Sequence, residues 1–218
     1  MTPSKEDYIK AIHSLNGARE IVSNKALSQA LQVSAASVTD MNSRLLSEDL
    51  ISYVPYQGVK LTEKGITTAR QLIRKHRIWE TFLYEKLGYH WEEVHHEADL
   101  LEHVSSDKLI DGLSEMLGHP SRDPHGGLIP DRDGTVDFSY RISLLDANVG
   151  ETFIVREVMD ASDILQYAYD RHLVPGNTFT LVAVDDLEGP LTLKNEAGET
   201  ILVSYKAADN IYIELLNH

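Results

Sequence analysis

Histidine and carboxylate residues are concentrated in two neighbouring stretches of this chain, and this concentration restricts how both stretches can fold. The longer stretch runs from His95 to His103, and the shorter one carries His76 and Glu80. His76 and Glu80 have the i, i+4 spacing that brings two side chains together on one helix face. If the longer stretch is also an α-helix, a rotation of about 100° per residue gathers four side chains on one side: His95, Asp99, Glu102 and His103.

Carboxylates crowded on one face repel each other unless a cation neutralises them. Imidazole nitrogen and carboxylate oxygen are ligands of first-row divalent cations, so the two stretches together predict a pair of metal sites. The alternative is a solvated acidic helix with histidines near its ends, and any one of these residues alone favours that alternative. The chain contains no cysteine, which excludes disulfide bonds and thiolate ligands and argues against a closed structural zinc site.

Charge is divided unevenly along the 218 residues, whose formal net charge is −14. Residues 1–75 contain ten Lys and Arg against seven Asp and Glu, which gives +3, whereas residues 76–218 contain ten against twenty-seven, which gives −17. A basic N-terminal part suits a polyanion such as DNA, and an acidic remainder suits cations. The sequence has no apolar run of membrane-spanning length and no signal-peptide core, which predicts a cytoplasmic protein without membrane association.

Residues 1–72 show the pattern of a winged helix-turn-helix DNA-binding domain. Apolar spacing predicts a helix that starts after Ser4 and two further helices over Asn24–Leu31 and Ala35–Asp49. Two short helices joined by a tight turn are typical of proteins whose second helix enters the major groove. Alternating residues on both sides of Gly58 predict the hairpin of the wing. We expect DNA contacts from polar and charged residues of the third helix and the wing: Ser34, Ser37, Thr39, Asp40, Asn42, Arg44 and Lys60.

Residues 73–140 are predicted to form a helical metal-binding and dimerisation domain. A long helix between Thr62 and Gly88 carries the shorter histidine and carboxylate stretch, and a helix from about Trp91 carries the longer one. A third helix covers about 107–117, and the apolar surface of these helices predicts a homodimer. Residues 118–134 form a loop rich in Pro and Gly, in which Asp123 and His125 are either metal ligands or ordinary turn residues.

Residues 141–218 are predicted to form a small SH3-like β-barrel, which makes the whole chain an α+β protein. Here apolar residues tend to recur at every second position, as in β-strands, and one helix over about 162–172 interrupts the strands. Asp160 and Asp163 lie near the start of this helix, where capping is the preferred explanation for both. Glycine and proline separate five predicted strands: Thr152–Val158, Thr178–Val184, Leu191–Leu193, Thr200–Val203 and Ile211–Leu215.

The order of winged helix, acidic helices and SH3-like tail resembles the diphtheria toxin repressor family of metal-dependent transcriptional regulators. The resemblance covers essentially the whole chain, and its most specific part is His76-x-x-x-Glu80 followed by His95-x-Glu97-Ala98-x-x-x-Glu102-His103. The opening Lys5-Glu6-Asp7-Tyr8 and the loop Pro124-His125-Gly126-Gly127-x-Ile129-Pro130 look like the manganese-responsive branch of Gram-positive cocci. The tail is then expected to be an SH3-like domain of the FeoA type.

The resemblance implies two ligand sets. The primary set consists of Asp7, Asp99, Glu102 and His103, and the secondary set of His76, Glu80, His95 and Asp160. An acid at position 7, where the iron-responsive branch has methionine, favours Mn²⁺ over Fe²⁺, with Zn²⁺, Co²⁺ or Cd²⁺ as surrogates. Two positions depart from the branch. Asp99 replaces the usual glutamate, and Asp123 replaces the usual cysteine, so that oxygen replaces sulfur there or the site loses a ligand.

The resemblance further implies a repressor of metal-uptake genes that binds a double-stranded operator as a homodimer, with a shared cation fixing the spacing of the recognition helices. A metalloenzyme or metal-storage protein is the alternative from the residues, and a metal-independent DNA-binding regulator is another. The enzyme or storage alternative would explain the acid and histidine cluster but not the winged helix, and the His-Glu-x-x-His motif of zinc proteases fails at Leu100. The sequence also lacks a Ser-His-Asp arrangement, a phosphate loop and a dinucleotide fingerprint.

Overall fold

The computed structural model describes residues 4–135 and 142–216. Within these ranges the chain forms two compact units, one with the residues up to Lys75 and the segment from Pro130, the other with the remaining residues. The architecture is α+β, as predicted from the sequence. Among the described residues, no helix combines the length and apolar character that crossing a bilayer requires. The three predicted domain ranges, 1–72, 73–140 and 141–218, stay predictions.

The first unit contains a winged helix-turn-helix, which confirms the prediction for this part of the chain. Serine side chains cap its three helices: the hydroxyl groups of Ser4, Ser23 and Ser34 each accept a hydrogen bond from the backbone amide three residues further on. The wing is an antiparallel hairpin that pairs Ile51 with Leu61. The element bounds are α1 Lys5–Ser14, α2 Asn24–Ala30, α3 Ala35–Ser47, β1 Ile51–Val54 and β2 Gly58–Leu61.

Three further helices follow the wing: α4 Glu63–Leu87, α5 Val94–Leu101 and α6 Asp107–Met116. The boundary between the two units falls within α4. The predicted start of α5 at Trp91 is wrong, because this side chain is buried in the core of the C-terminal sheet and its indole donates to the carbonyl of Pro124. A 3₁₀ turn, Glu102–Val104, follows α5 and ends the α-helical geometry there.

The C-terminal part of the second unit is one antiparallel sheet, and its described strands do not close into the predicted SH3-like β-barrel. The strand order is β3-β8-β4-β5-β6-β7, and the described residues show no pairing between β3 and β7 that would close it. Strand β3 and helix α8 were not predicted from the sequence, and they are only two and five residues long. The element bounds are β3 Ile142–Ser143, β4 Thr152–Val158, α7 Ser162–Tyr169, β5 Thr178–Val184, β6 Leu191–Asn195, β7 Thr200–Val203, α8 Tyr205–Asp209 and β8 Ile211–Leu215.

Candidate metal centre

Glu80 on α4 is the residue on which the candidate centre of the second unit converges. Its side chain is fully buried, and its Oε1 atom lies 2.9 Å from Nε2 of His76 and 3.2 Å from Nδ1 of His95. Nδ1 of His125 lies 3.4 Å from the same oxygen. The other oxygen, Oε2, is also buried, and none of the described residues donates a hydrogen bond to it. A buried carboxylate with a spare oxygen and three imidazole nitrogens around it fits a divalent cation.

His76 connects this group to a second group of acids on its other edge. Nδ1 of His76 lies 2.7 Å from Oε2 of the buried Glu102 and 3.4 Å from Oδ1 of the partly exposed Asp99. Asp99 also approaches Nε2 of His95 at 3.7 Å, and Nε2 of His103 lies 3.5 Å from Oε1 of Glu102. Glu102 and His103 reach this position from the 3₁₀ turn, so the single α-helical face predicted for the stretch is wrong.

The Pro- and Gly-rich loop brings His125 into the centre. Its Nε2 atom donates to the backbone carbonyl of Trp91 at 2.8 Å, so Nδ1 faces Glu80 and Asp160, with Oδ1 of Asp160 3.1 Å away. The loop is fixed on β4, because the amide of Val158 donates to the carbonyl of His125 at 2.9 Å. Of the two alternatives for His125 in the sequence, the buried position among carboxylates favours the ligand. The only sequence feature that pointed to His125 was the loop motif from Pro124 to Pro130.

Asp160 and Asp163 differ in a way that the sequence did not show. The preferred capping explanation for Asp160 is wrong, because the residue before α7 is Ala161, which makes no side-chain cap, and the Asp160 carboxylate faces His125. Asp163 lies on the surface and pairs with Lys206 at 2.7 Å. Only Asp160 therefore belongs to the candidate centre.

Opposite charges are balanced inside this buried group. Burial raises the pKa of the Glu80 carboxyl, but His76 and His125 outweigh burial and hold this pKa well below its usual range. Burial lowers the pKa of His125, but Glu80 and Asp160 outweigh it and raise this pKa well above its usual range. Burial and Glu80 raise the pKa of Asp160, while His125 and Arg77 bring it below its usual value. The carboxylates therefore demand a positive charge, and a bound cation would displace protons from imidazole.

Asp123 lies beside the centre and has contacts on both oxygens. Oδ1 accepts hydrogen bonds from the backbone amides of His125 and Gly127, at 2.8 and 2.9 Å. Oδ2 lies 3.0 Å from Nε of Arg77. Burial and the negative charge of Asp160 raise the pKa of Asp123, and the Arg77 guanidinium opposes them because it stabilises the ionised carboxylate. The carboxyl group is thus enclosed by the loop backbone and by one guanidinium.

Two predicted residues of the first unit have a structural role that is visible in that unit. Asp7 completes the capping box of α1, because its side chain accepts from the backbone amide of Ser4. Asn42 is 8% exposed, and its side-chain amide donates to Oδ1 of Asn24 at 3.0 Å. Asn42 therefore joins α3 to α2 inside the unit, and this burial argues against the predicted DNA contact.

The other predicted DNA contacts lie on the surface of the winged helix, apart from a partly buried lysine in β2. Ser34 and Ser37 form the cap of α3 with their hydroxyl oxygens 2.9 Å apart, and Arg44 pairs with Asp40 at 2.8 Å while both stay exposed. The side chains that remain available for DNA are therefore those of Ser34, Ser37, Thr39, Asp40, Arg44 and Lys60.

The loop around His125 depends on a glycine that contacts β4. Gly126 has φ +89, and an added Cβ atom would lie 1.9 Å from the carbonyl oxygen of Arg156. We expect Gly126→Ala to lower the free energy of unfolding by about 1–3 kcal/mol through backbone strain. The clash with the Arg156 carbonyl should lower it further. Urea unfolding of the metal-free protein measures this. Gly118→Ala is the matched control, with φ +75 and no atom within 4 Å. Equal losses in both variants would contradict the role of the contact.

Three family models match the chain. Residues 1–59 match "Iron dependent repressor, N-terminal DNA binding domain", and residues 62–131 match "Iron dependent repressor, metal binding and dimerisation domain". Residues 142–215 match the FeoA domain. The two repressor models together cover more than half of the chain.

Curated relatives match over different shares of this chain. The HTH-type transcriptional regulator MntR of Oceanobacillus iheyensis is 32% identical over 118 residues, which is 54% of this chain and 80% of MntR. The iron-dependent repressor IdeR of Mycobacterium tuberculosis H37Rv is 26% identical over 98% of both chains. A probable metal transport system membrane protein of Chlamydia trachomatis is 43% identical over 40% of this chain, and the match spans 19% of that protein.

Among solved structures, the manganese regulator SloR is 36% identical with a TM-score of 0.85, over 99% of this chain and 100% of SloR. The structure of ScaR with bound Cd²⁺ is 35% identical with a TM-score of 0.88, over 98% of this chain and 100% of ScaR.

Proposed function

Because the chain belongs to the diphtheria toxin repressor family of metal-dependent transcriptional regulators, the iron-dependent repressors, we propose that it is a manganese-responsive repressor of metal-uptake genes. It is a metal-dependent DNA-binding repressor by family, and this family consists of regulators and not of enzymes. The metalloenzyme and storage alternatives therefore have no support. The proposal concerns the choice of metal, the ligands and the way in which the metal controls DNA binding.

One observation supports the metal site best: three imidazole nitrogens lie within 3.4 Å of one buried carboxylate oxygen of Glu80. Every candidate donor is nitrogen or oxygen, and carboxylate-rich sets suit manganese better than sulfur-rich sets. The structure of ScaR with bound Cd²⁺ and the similarity to the manganese regulator SloR support a divalent cation of this class. Fe²⁺ is the alternative. We propose that this first centre is held by Glu80, His76, His95, His125 and Asp160.

A second centre is proposed from the family resemblance together with the acids on the other edge of His76. Asp99, Glu102 and His103 supply three ligands from the second unit, and Asp7 of α1 supplies the fourth. A cation at this centre would supply positive charge that neutralises acids from both units. Ligands shared in this way would couple metal occupancy to the arrangement of the DNA-binding unit, and by linkage DNA would tighten metal binding by the same factor.

Operator binding is proposed to involve a homodimer, whose two recognition helices read two half-sites. The helices of the second unit leave large apolar side chains exposed, and residues 62–131 match the metal binding and dimerisation domain of the iron-dependent repressors. These exposed side chains include Leu87 at 56%, Val104 at 80%, Leu109 at 46% and Met116 at 66%. Such a surface suits a second copy of the chain.

The test is the dissociation constant for operator DNA with and without Mn²⁺ at fixed salt, because phosphate contacts make affinity salt-dependent. Genomic fragments retained by the protein in Mn²⁺ supply the operator. We expect Mn²⁺ to tighten binding by about 5- to 150-fold over a chelator, the usual range of allosteric coupling. Mg²⁺ at equal concentration controls for general divalent effects. Affinity unaffected by the chelator would instead indicate a metal-independent regulator.

A further inference from the structure

Arg77 places a permanent positive charge inside the proposed metal centre. Its side chain is 15% exposed and neighbours His76 on α4. Nη2 lies 3.7 Å from Oδ2 of Asp160, and Nη1 donates to the carbonyl of Leu128. A guanidinium does not lose its proton in proteins. A cation-binding centre that contains such a group must balance its charge, because otherwise arginine and metal compete for the same carboxylates.

Asp123 is the carboxylate that lies nearest to this charge. Its Oδ2 lies 3.0 Å from Nε of Arg77 as an ion pair that is not aligned as a hydrogen bond, and Oδ1 accepts two backbone amides. Backbone closes over the pair at Gly127, where a Cβ atom would lie 2.5 Å from Oδ2 of Asp123 and 2.7 Å from Cζ of Arg77. The rival role is direct ligation, because Asp123 has an oxygen within 4.8 Å of donor atoms of Glu80 and His125.

We propose that Asp123 is the internal counter-ion of Arg77 and not a metal ligand. Asp123 pairs with the guanidinium more closely than Asp160 does, at 3.0 Å against 3.7 Å, so that the Asp160 carboxylate is not the sole counter-charge of Arg77 and stays available to the cation. Asp123 is thus a positioning residue, and the centre has lost a ligand at the position where the branch usually has cysteine. This inference rests on the proposed metal centre for its effect on affinity, whereas the ion pair itself exists without metal.

A double-mutant cycle separates the two roles. Mn²⁺ affinity of the full chain is measured from the electron paramagnetic resonance signal of free Mn²⁺. We expect Asp123→Asn to weaken binding at this centre by roughly 10- to 100-fold, the usual effect of losing a group that orients a ligand. Arg77→Gln on the same background removes the unbalanced guanidinium, so the double variant should return to about twofold of the parent affinity. Asp160→Asn is the control that removes a proposed ligand.

A double variant as weak as Asp123→Asn would establish direct ligation and overturn the inference. Unchanged affinity in Asp123→Asn would overturn it as well. Urea unfolding tests the ion pair independently of metal. It is measured on the metal-free parent, the single variants Asp123→Asn and Arg77→Gln, and the double variant. We expect the unfolding constant of the double variant to fall at least about tenfold below the value expected from independent single effects, within the range of coupled neighbours. Independent effects would exclude the counter-ion role. If the parent protein bound no Mn²⁺, the proposed function would fail, and the unfolding cycle would still decide the ion pair.

Discussion

Replacing Glu80 with glutamine is expected to weaken Mn²⁺ binding at the first centre by more than about 100-fold, beyond the usual effect of an outer-shell substitution. The substitution keeps the shape of the side chain and removes the negative charge that three imidazole groups surround. Glu80 is fully buried, so no water compensates for the lost charge, and the neighbouring histidines then face an uncharged amide. This is the largest effect that a single ligand of the second unit should produce.

Isothermal titration with Mn²⁺ measures this loss, and thermal unfolding shows whether the variant folds. Glu85→Gln is the matched control, since Glu85 lies on the same helix and its side chain is 45% exposed. If Glu80→Gln kept its Mn²⁺ affinity within about twofold of the parent, which is the scatter expected for substitutions at unrelated sites, Glu80 would not be a ligand. The proposed function would then have to rest on the second centre alone.

Asp7→Asn is expected to abolish the Mn²⁺-dependent gain in operator affinity while leaving the protein folded. Asparagine keeps an oxygen that can accept from the amide of Ser4, so the capping box at the start of α1 survives. The negative charge, which the second centre is proposed to use, is lost. We expect DNA affinity in Mn²⁺ to fall to the value measured in chelator, a loss of about 5- to 150-fold. Glu102→Gln should give the same result from the other unit.

A mobility-shift titration with operator DNA, in Mn²⁺ and in chelator, measures the response. Asp7→Ala distinguishes the two roles of the residue, because it removes both the cap, at a cost of about 1 kcal/mol, and the ligand. Glu6→Gln is the control for loss of a neighbouring acid in the same first turn. If Asp7→Asn responded to Mn²⁺ as the parent does, the acid would serve α1 alone, and the proposed coupling of the units would be wrong.

Local signals explain which parts of the fold could be predicted. The expected cap at Ser4 and helical apolar spacing placed the three helices of the winged helix within two residues of their bounds. Gly88, with φ +72, likewise marked the end of α4. The predicted start of α5 was wrong because Trp91 is apolar and fits helical spacing, whereas its side chain is buried in the core of the C-terminal sheet. Periodicity reports that a residue is buried but not in which core.

Candidate ligands that are close in sequence could be paired by prediction, whereas ligands brought together by the tertiary fold could not. His76 and Glu80 could be paired because i and i+4 on one helix are neighbours by geometry. His125 and Asp160 are 35 residues apart, and their contact at 3.1 Å depends on how the loop lies on β4. From the sequence, His125 could therefore be either a metal ligand or a turn residue, and helix capping was the preferred explanation for Asp160. Asn42 shows the opposite limit, since a polar residue on a recognition helix can face inward and join two helices.

His76 lies between Glu80 and Glu102, at 2.9 and 2.7 Å, and would connect the two proposed centres through one imidazole ring. A neutral imidazole carries a single ring proton. If Nε2 binds a cation beside Glu80, that proton belongs to Nδ1 and points at Glu102. Occupancy of the first centre thus fixes the tautomer that the second centre meets. We therefore expect a manganese titration of this chain to depart from two independent dissociation constants.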